Sequence, residues 1–332
     1  MDILVAVVVI PLLAFGPMLV YALVLWWFDR YEKEPLLLLM AAFAWGAVPA
    51  IIFSLIAQLI FDIPLYGWVP YAAEFVGASL IAPLTEEPFK GLALLGLLLL
   101  FRRELDSPLD GILYGGLVGF GFAATENLFY FVSQFSEGGL AAVLELSLFR
   151  AVLFGLNHAL FTGCTGLGIA LARTSPRWWV KISAPIAGFG AAIILHGLHN
   201  TGASLAGTLC WPILVSLVVD WGAVAILLGI LIWISVREQR WLTRYLADEV
   251  QAGVISQQDY GVIQSYWRRV GQRLRVLLGG DVGRWWRLGR YYRLASELAF
   301  ARQRLDAFGP EQDTVRRLEQ LRRELYELRK RL

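Results

Sequence analysis

Histidine is nearly missing from this chain: three in 332 residues, His158, His196 and His199, and none in the last 96 positions. Cysteine is scarcer still, at 164 and 210 only. The two fall at different expected depths, which excludes a disulfide framework and a cysteine-based metal knuckle. Charge is thin as well. Charged residues make up 17% of the chain against 58% hydrophobic ones, and the mean hydropathy is +0.59, which excludes an ordinary soluble domain. No basic residue precedes the first apolar stretch, and that stretch outlasts the core of a secretory signal, so an uncleaved span is expected there. Neither an internal hydropathy repeat of the kind left by inverted-repeat transporters nor an HExxH motif is visible.

What is present in quantity is apolar sequence. Stretches long enough to cross about 30 Å of hydrocarbon recur seven times, at 3–28, 36–61, 78–101, 111–132, 140–172, 182–206 and 209–235. The fifth is too long for one straight span and predicts a re-entrant or interfacial piece. The expected fold is an all-α, polytopic membrane helix bundle of about seven spans. It comprises a membrane domain, 1–236, and a basic, helical cytoplasmic tail, 237–332.

Basic residues set the orientation. Arg30 and Lys33 follow the first span, Arg102 and Arg103 the third, and Arg173, Arg177 and Lys181 the fifth, while 20 Lys and Arg follow the seventh. The N-terminus and the connections after spans two, four and six carry none. By the positive-inside rule this places the N-terminus outside and the tail in the cytoplasm of a multi-pass cell-membrane protein. Only Lys90 and Arg150 remain, both within spans.

The tail holds 20 basic and 12 acidic residues. Ser256 reads as an N-cap with Asp259 as its box partner. Leu294, Leu298, Ala301, Leu305 and Phe308, then Leu318, Leu321, Leu325, Leu328 and Leu332, alternate spacings of four and three on either side of Gly309-Pro310. That pattern predicts a helical hairpin. The stretch "GRWWRLGRYYRL" interleaves arginine with paired aromatics. It suits an anionic inner leaflet better than nucleic acid, and nothing in the tail reads as catalytic.

The polar groups inside the spans are concentrated. Glu86, Glu87 and Lys90 lie in "TEEPFK", Glu126 in "GFGFAATENLFY", Arg150 and His158 in "FRAVLFGLNHALFTG", and His196, His199 and Asn200 in "LHGLHN"; Asp220 lies in the last span. Counted from the outer ends at 1.5 Å per residue, Glu86, Glu87, Glu126 and His196 fall in one layer between the outer surface and the midplane. Buried charges are costly and face the bundle interior, so their convergence describes a site. Glu86 and Lys90 are i,i+4 and are expected to pair, with Glu87 turned away by about 100°. Pro83 and Pro88 flank the pair and free backbone carbonyls. Gly115, Gly116, Gly119 and Gly121 predict close helix approach. His196 and Asn200 share a face, as do His158 and Thr162, and His199 is near enough to join His196. Asp220 reads as a packing partner, for Arg150 in particular.

At these residues the chain resembles the PrsW family of intramembrane proteases, a branch of a larger group with the CAAX prenyl endopeptidases and the bacteriocin-processing Abi proteins. The matching pieces are "DRYEKEP", "EEPFKGLAL", "FAATE", His158 and "HGLHN", covering about residues 20–205. Two departures from the wider group stand out. Lys90 follows Glu87 by three, where that group has arginine four residues on, and Glu126 replaces a histidine. The resemblance implies hydrolysis of a peptide bond in a membrane protein or peptide. For the PrsW branch it implies a single-span anti-sigma factor cut on its extracytoplasmic side.

Two schemes suit these residues. In the preferred, metal-free one, Glu86 or Glu87 activates water, His158 and His196 orient it, and His196 with Asn200 stabilises the oxyanion. In the other, Glu126, His158 and His196 bind zinc and a glutamate is the base. The rival class is a proton-coupled transporter or channel using the same carboxylates and histidines as a relay. A pseudoenzyme or receptor signalling through the tail is a third.

Overall fold

The structure, a computed structural model, describes every residue except Met1, Glu32, Gly207, Thr208, Cys210 and Glu311. Cys210, one of the two cysteines discussed above, thus lies outside the described residues, and Cys164 is a free thiol. Helix α1 covers Asp2–Phe28 and α2 Leu36–Trp68, the latter with a π-helical turn at Gly46–Ala50. A second π-turn, Gly77–Ile81, leads into α3, Ala82–Leu100. Then come α4, Pro108–Ser147, α5, Asn157–Thr174, α6, Trp178–Leu205, and α7, Trp211–Gln251. Four further helices complete the chain: α8, Gln257–Ile263; α9, Tyr266–Leu278; α10, Val282–Phe308; and α11, Gln312–Arg329. There is no strand among the described residues.

Among the described residues, five helical stretches are long and apolar enough to cross a membrane: Leu4–Phe28, Leu36–Trp68, Pro108–Thr174, Trp178–Leu205 and Trp211–Gln251. The count falls short of seven for two physical reasons. Helix α3 carries Glu86, Glu87 and Lys90 within 19 residues, which lowers its apolarity without shortening it. The 67-residue stretch 108–174 merges the two spans expected there. It is broken at Gly139, whose φ of 67° only glycine adopts cheaply, and again by a π-turn at Leu148–Leu153. The overlong fifth apolar stretch is therefore two pieces, the second being α5.

The chain forms two compact units, Met1–Phe28 with Glu34–Leu231, and Asp29–Lys33 with Ile232–Leu332. In the first, α4 is the central post. Its residues 108–124 are buried, and it packs on α1, α2 and α5. Glycine makes this contact possible: a methyl group at Gly115 would be 2.5 Å from the Thr162 carbonyl, and one at Gly119 would run into the carbonyl of His158. With hydrogen in place of methyl, the two backbones touch, and His158 is held at a fixed height beside α4.

The second unit has its own apolar core, built from Leu242 and Leu246, Ile255, Ile263, Leu288, Tyr291, Leu298, Leu318, Leu321 and Leu325. Helices α10 and α11 pack together, and Gly309 turns the chain between them with a φ of 85°. Ser256 caps α8, accepting from the Asp259 amide at 3.0 Å. Tyr31, from the connection after α1, belongs to this core. The sequence alone assigned that connection to the membrane domain, yet it packs with the tail because the buried Arg269 guanidinium lies 5.2 Å from the Tyr31 ring centroid.

Candidate active site

Helix α3 places three charged side chains on the buried side of the bundle. Glu86 is 5% exposed, Glu87 and Lys90 not at all. The Lys90 ammonium donates to Glu86 Oε2 at 3.0 Å, to Glu87 Oε1 at 2.9 Å and to His158 Nδ1 at 3.0 Å, and it lies 3.8 Å from the Phe122 ring centroid. All three N–H bonds of the ammonium are used. The expectation that Lys90 pairs with Glu86 alone is corrected. Residues three and four apart are both neighbours on a helix surface, and a lysine's four methylenes let one ammonium reach both carboxylates.

Each partner is fixed in turn. Because Lys90 donates to Nδ1 of His158, that ring carries its proton on Nε2 and donates to Glu126 Oε2 at 2.9 Å. Glu126 also accepts from Arg150 Nη2 at 2.6 Å, and Arg150 Nε donates to Asn127 at 3.0 Å. On the other side, His196 Nδ1 donates to Glu87 Oε1 at 2.9 Å, and Thr162 Oγ1 donates to Glu87 Oε2 at 3.2 Å. Glu86 accepts from Gln58 at 3.1 Å through Oε1, and its Oε2 lies 3.8 Å from His196 Nε2. The ring of Phe161 stacks on His196 at 4.9 Å and 16°. Thus five of the six expected residues, Glu86, Glu87, Glu126, His158 and His196, join one connected network across α3, α4, α5 and α6.

Asn200 stands apart from it. Its amide donates to the Ala78 carbonyl at 2.8 Å. In the π-turn the Ala82 amide serves the carbonyl five residues back, Gly77. The next amide in that pattern would serve Ala78, but residue 83 is proline and has none. Asn200 supplies the missing donor. This bond uses one of the two N–H groups of the amide, and the role of sharing the oxyanion with His196 stands as an expectation.

Two other pairings are corrected. Asp220 does not meet Arg150. Its Oδ2 accepts from Asn157 at 3.0 Å and Ser216 at 3.2 Å and lies 2.7 Å from His199 Nδ1, while Arg150 is taken by Glu126. His199 accordingly faces Asp220 instead of joining His196 at the glutamates. Sequence reasoning missed Gln58 and Phe161. A glutamine in the apolar run "IIFSLIAQLIF" was a readable signal for the first, whereas one phenylalanine among many gave none for the second.

The donors Glu86, Glu87, His158 and His196 all offer ligand atoms within 4.8 Å of one another. Two carboxylates and two imidazoles are a reasonable zinc donor set by chemistry. Their common centre, however, is held by the Lys90 ammonium, which takes three of the four, and both ring nitrogens of His158 are already engaged. A divalent ion at this centre would have to displace the Lys90 ammonium from its donors. The alternative ligand set Glu126, His158 and His196 is not assembled either, because Glu126 meets His158 on Nε2 and is neutralised by Arg150.

Comparison with known proteins places this arrangement. Residues 34–230 match the family model described as PrsW family intramembrane metalloprotease. A Protease PrsW of Clostridioides difficile is 32% identical over 142 residues, 43% of this chain and 57% of that protein. One of Geobacillus kaustophilus is 30% identical over 183 residues, covering 52% of this chain and 69% of the relative. One of Bacillus subtilis is 25% identical over 180 residues, 52% of this chain and 72% of the relative. No solved structure matches the chain. The family match covers more than half of the sequence and takes in both the glutamate–histidine network and the separate group around Asp220, so the chain belongs to the PrsW family of intramembrane proteases.

Proposed function

We propose that this protein is a membrane peptidase that cleaves a membrane-protein substrate with a water molecule activated by Glu86. The observation that carries the choice of base is the unequal occupation of the two glutamates. Both oxygens of Glu87 accept, from three donors in all, and its side chain is wholly buried, whereas Glu86 accepts two bonds and keeps 6% of its side chain exposed. A general base needs a free lone pair and access to water. In this reading Glu87 is the orienter: it fixes the His196 ring so that Nε2 faces the Glu86 carboxylate. Glu86 takes a proton from water as the hydroxide attacks the scissile carbonyl. With Nδ1–H held by Glu87, His196 Nε2 is free to take that proton from Glu86, 3.8 Å away, and to pass it to the leaving amine as the C–N bond breaks. Lys90 holds the glutamates together, and Arg150, Glu126 and His158 hold Lys90.

The relatives named Protease PrsW support the reaction class. The resemblance supports a single-span anti-sigma factor as substrate. The distribution of basic residues supports the N-terminus outside and the tail cytoplasmic, with its basic surface on the anionic inner leaflet instead of on nucleic acid. The transporter reading has less support, since Lys90 and Arg150 pin the carboxylates that a proton relay would need free.

The family's description as a metalloprotease supports a second reading, in which Lys90 swings away and zinc takes its donors. The test is cleavage of a co-reconstituted single-span substrate together with zinc content of the purified protein. Glu86→Gln is expected to lower cleavage about 10²–10⁴-fold, the usual contribution of a general base, with the fold kept and a smaller loss of stability than in Glu87→Gln. Zinc is expected to be substoichiometric in the wild type and to rise in Lys90→Met, which vacates the centre. Stoichiometric zinc in the wild type would establish the second reading. Normal cleavage by both Glu86→Gln and Glu87→Gln would end the protease reading.

A further inference from the structure

Helix α9 is built inside out. Its apolar residues Trp267, Val270, Leu274, Leu277 and Leu278 fall on one arc of about 100° at 3.6 residues per turn. A helix of a globular unit turns such an arc to the core. Here the arc points away: Trp267 is 66% exposed, Leu274 51% and Leu278 78%. The opposite side carries Arg269, which is buried, donates to the Ile263 carbonyl at 2.7 Å and to Ser296 at 3.0 Å, and sits over the Tyr31 and Tyr292 rings. Burial pulls its pKa down to about 10. The unit thus bears the cost of an interior guanidinium while leaving five large apolar side chains outside.

The borders of the arc are cationic. Arg275 and Arg268 flank one edge, both exposed, and Arg273 flanks the other, its guanidinium 4.4 Å from the Trp285 ring centroid. The next helix opens with Val282 and Trp286, one turn apart and both exposed, alongside the exposed Arg284. An apolar stripe with tryptophan at one end and arginines on both borders is the composition of a helix that lies in a lipid headgroup region.

We propose that the Trp267–Leu278 face of α9 is an interfacial anchor that seats on an anionic bilayer surface. The occupant follows from charge complementarity, with 20 basic against 12 acidic residues after position 236, and from attachment: α7 ties this unit covalently to a membrane-spanning one, so docking on lipid is an intramolecular step with a high effective concentration. The proposal rests on the reading that the tail lies against the anionic leaflet, and it moves the contact. The sequence pointed to 283–294, where Leu288, Tyr291 and Tyr292 prove to be core residues. Arginines near such a surface add an attraction that salt screens, and the apolar face adds a salt-insensitive part.

The test uses full-length protein in nanodiscs of phosphatidylcholine alone or of phosphatidylcholine with phosphatidylglycerol. With both native cysteines replaced by serine, an environment-sensitive fluorophore is placed in turn at Leu278→Cys, Arg284→Cys and Glu319→Cys, and quenching by spin-labelled lipid is measured. The expected result is several-fold stronger quenching at 278 than at 319, present in the anionic discs and reduced by Arg268→Gln with Arg275→Gln. Quenching at 284 without 278 would overturn the α9 assignment and leave the leaflet reading standing. No quenching at 278 or 284 would remove both. Equal quenching in neutral and anionic discs would overturn the anionic requirement. Energy transfer between copies labelled at 278, without lipid quenching, would make the face a contact between two chains and overturn the proposal.

Discussion

A single backbone carbonyl accounts for Asn200. Ala78 loses its π-turn donor because residue 83 is proline, and the Asn200 amide replaces it at 2.8 Å. Asn200→Ala should therefore destabilise the protein by about 1–3 kcal/mol, the cost of a buried acceptor left unsatisfied. Pro83→Ala restores an N–H at that position, so adding it should recover part of the loss. Thermal unfolding of the two single variants and the double variant gives the coupling, and strict additivity would refute the pairing. Glu87→Gln belongs to the same scale but should behave differently from Glu86→Gln. It weakens the Lys90 and His196 bonds together, and breaking a fully buried pair costs about 3–5 kcal/mol. Both stability and cleavage should fall, with the fall in stability larger than for Glu86→Gln. The glutamates and two of the histidines were legible because a charge in an apolar run has few uses. Asn200's partner was not, since the freed carbonyl belongs to another helix. Asp220's partner was not either, because spacing within one span says nothing about which spans are neighbours.

At the scale of elements, the site depends on how near α5 comes to α4. The glycines at 115 and 119 were readable as a small-residue face, and they set the height of α5 through the carbonyls of Thr162 and His158. Gly119→Ala should push the two helices apart, lengthening the bonds from His158 to Lys90 and Glu126. Cleavage should drop about tenfold or more, since misplacement by about 1 Å can cost 10²-fold. Gly16→Ala is the control, because a methyl group there meets nothing within 4 Å. Comparison of kcat and thermal midpoint for the two variants checks this, and equal behaviour would show that the α4–α5 contact does not limit catalysis. The breaks in these helices were less legible. Proline marks one π-turn at Pro49, but those at 77–81 and 148–153 contain no proline. Gly139 was one glycine among 32 until its φ was known.

At the scale of the whole molecule, the number of crossings and the packing of the tail constrain each other. Asp29–Lys33 belongs to the same compact unit as Ile232–Leu332, and Tyr31 lies in that unit's core. Both segments must then lie on one side of the membrane, which requires an even number of crossings between residues 33 and 232. Six crossings satisfy this if α3 counts as a span and the stretch 108–174 counts as two. With α1 the total is seven, the number read from the apolar stretches and matched by the alternation of basic residues. On the proposed orientation, with the tail cytoplasmic, cysteines introduced at Tyr66 and Glu137 should react with an impermeant maleimide in intact cells. Cysteines at Glu104 and Tyr260 should react only after permeabilisation. Labelling of 260 in intact cells would invert the orientation. Labelling of 104 and 260 on opposite sides would break the parity, and with it the pairing of the tail with the connection after α1.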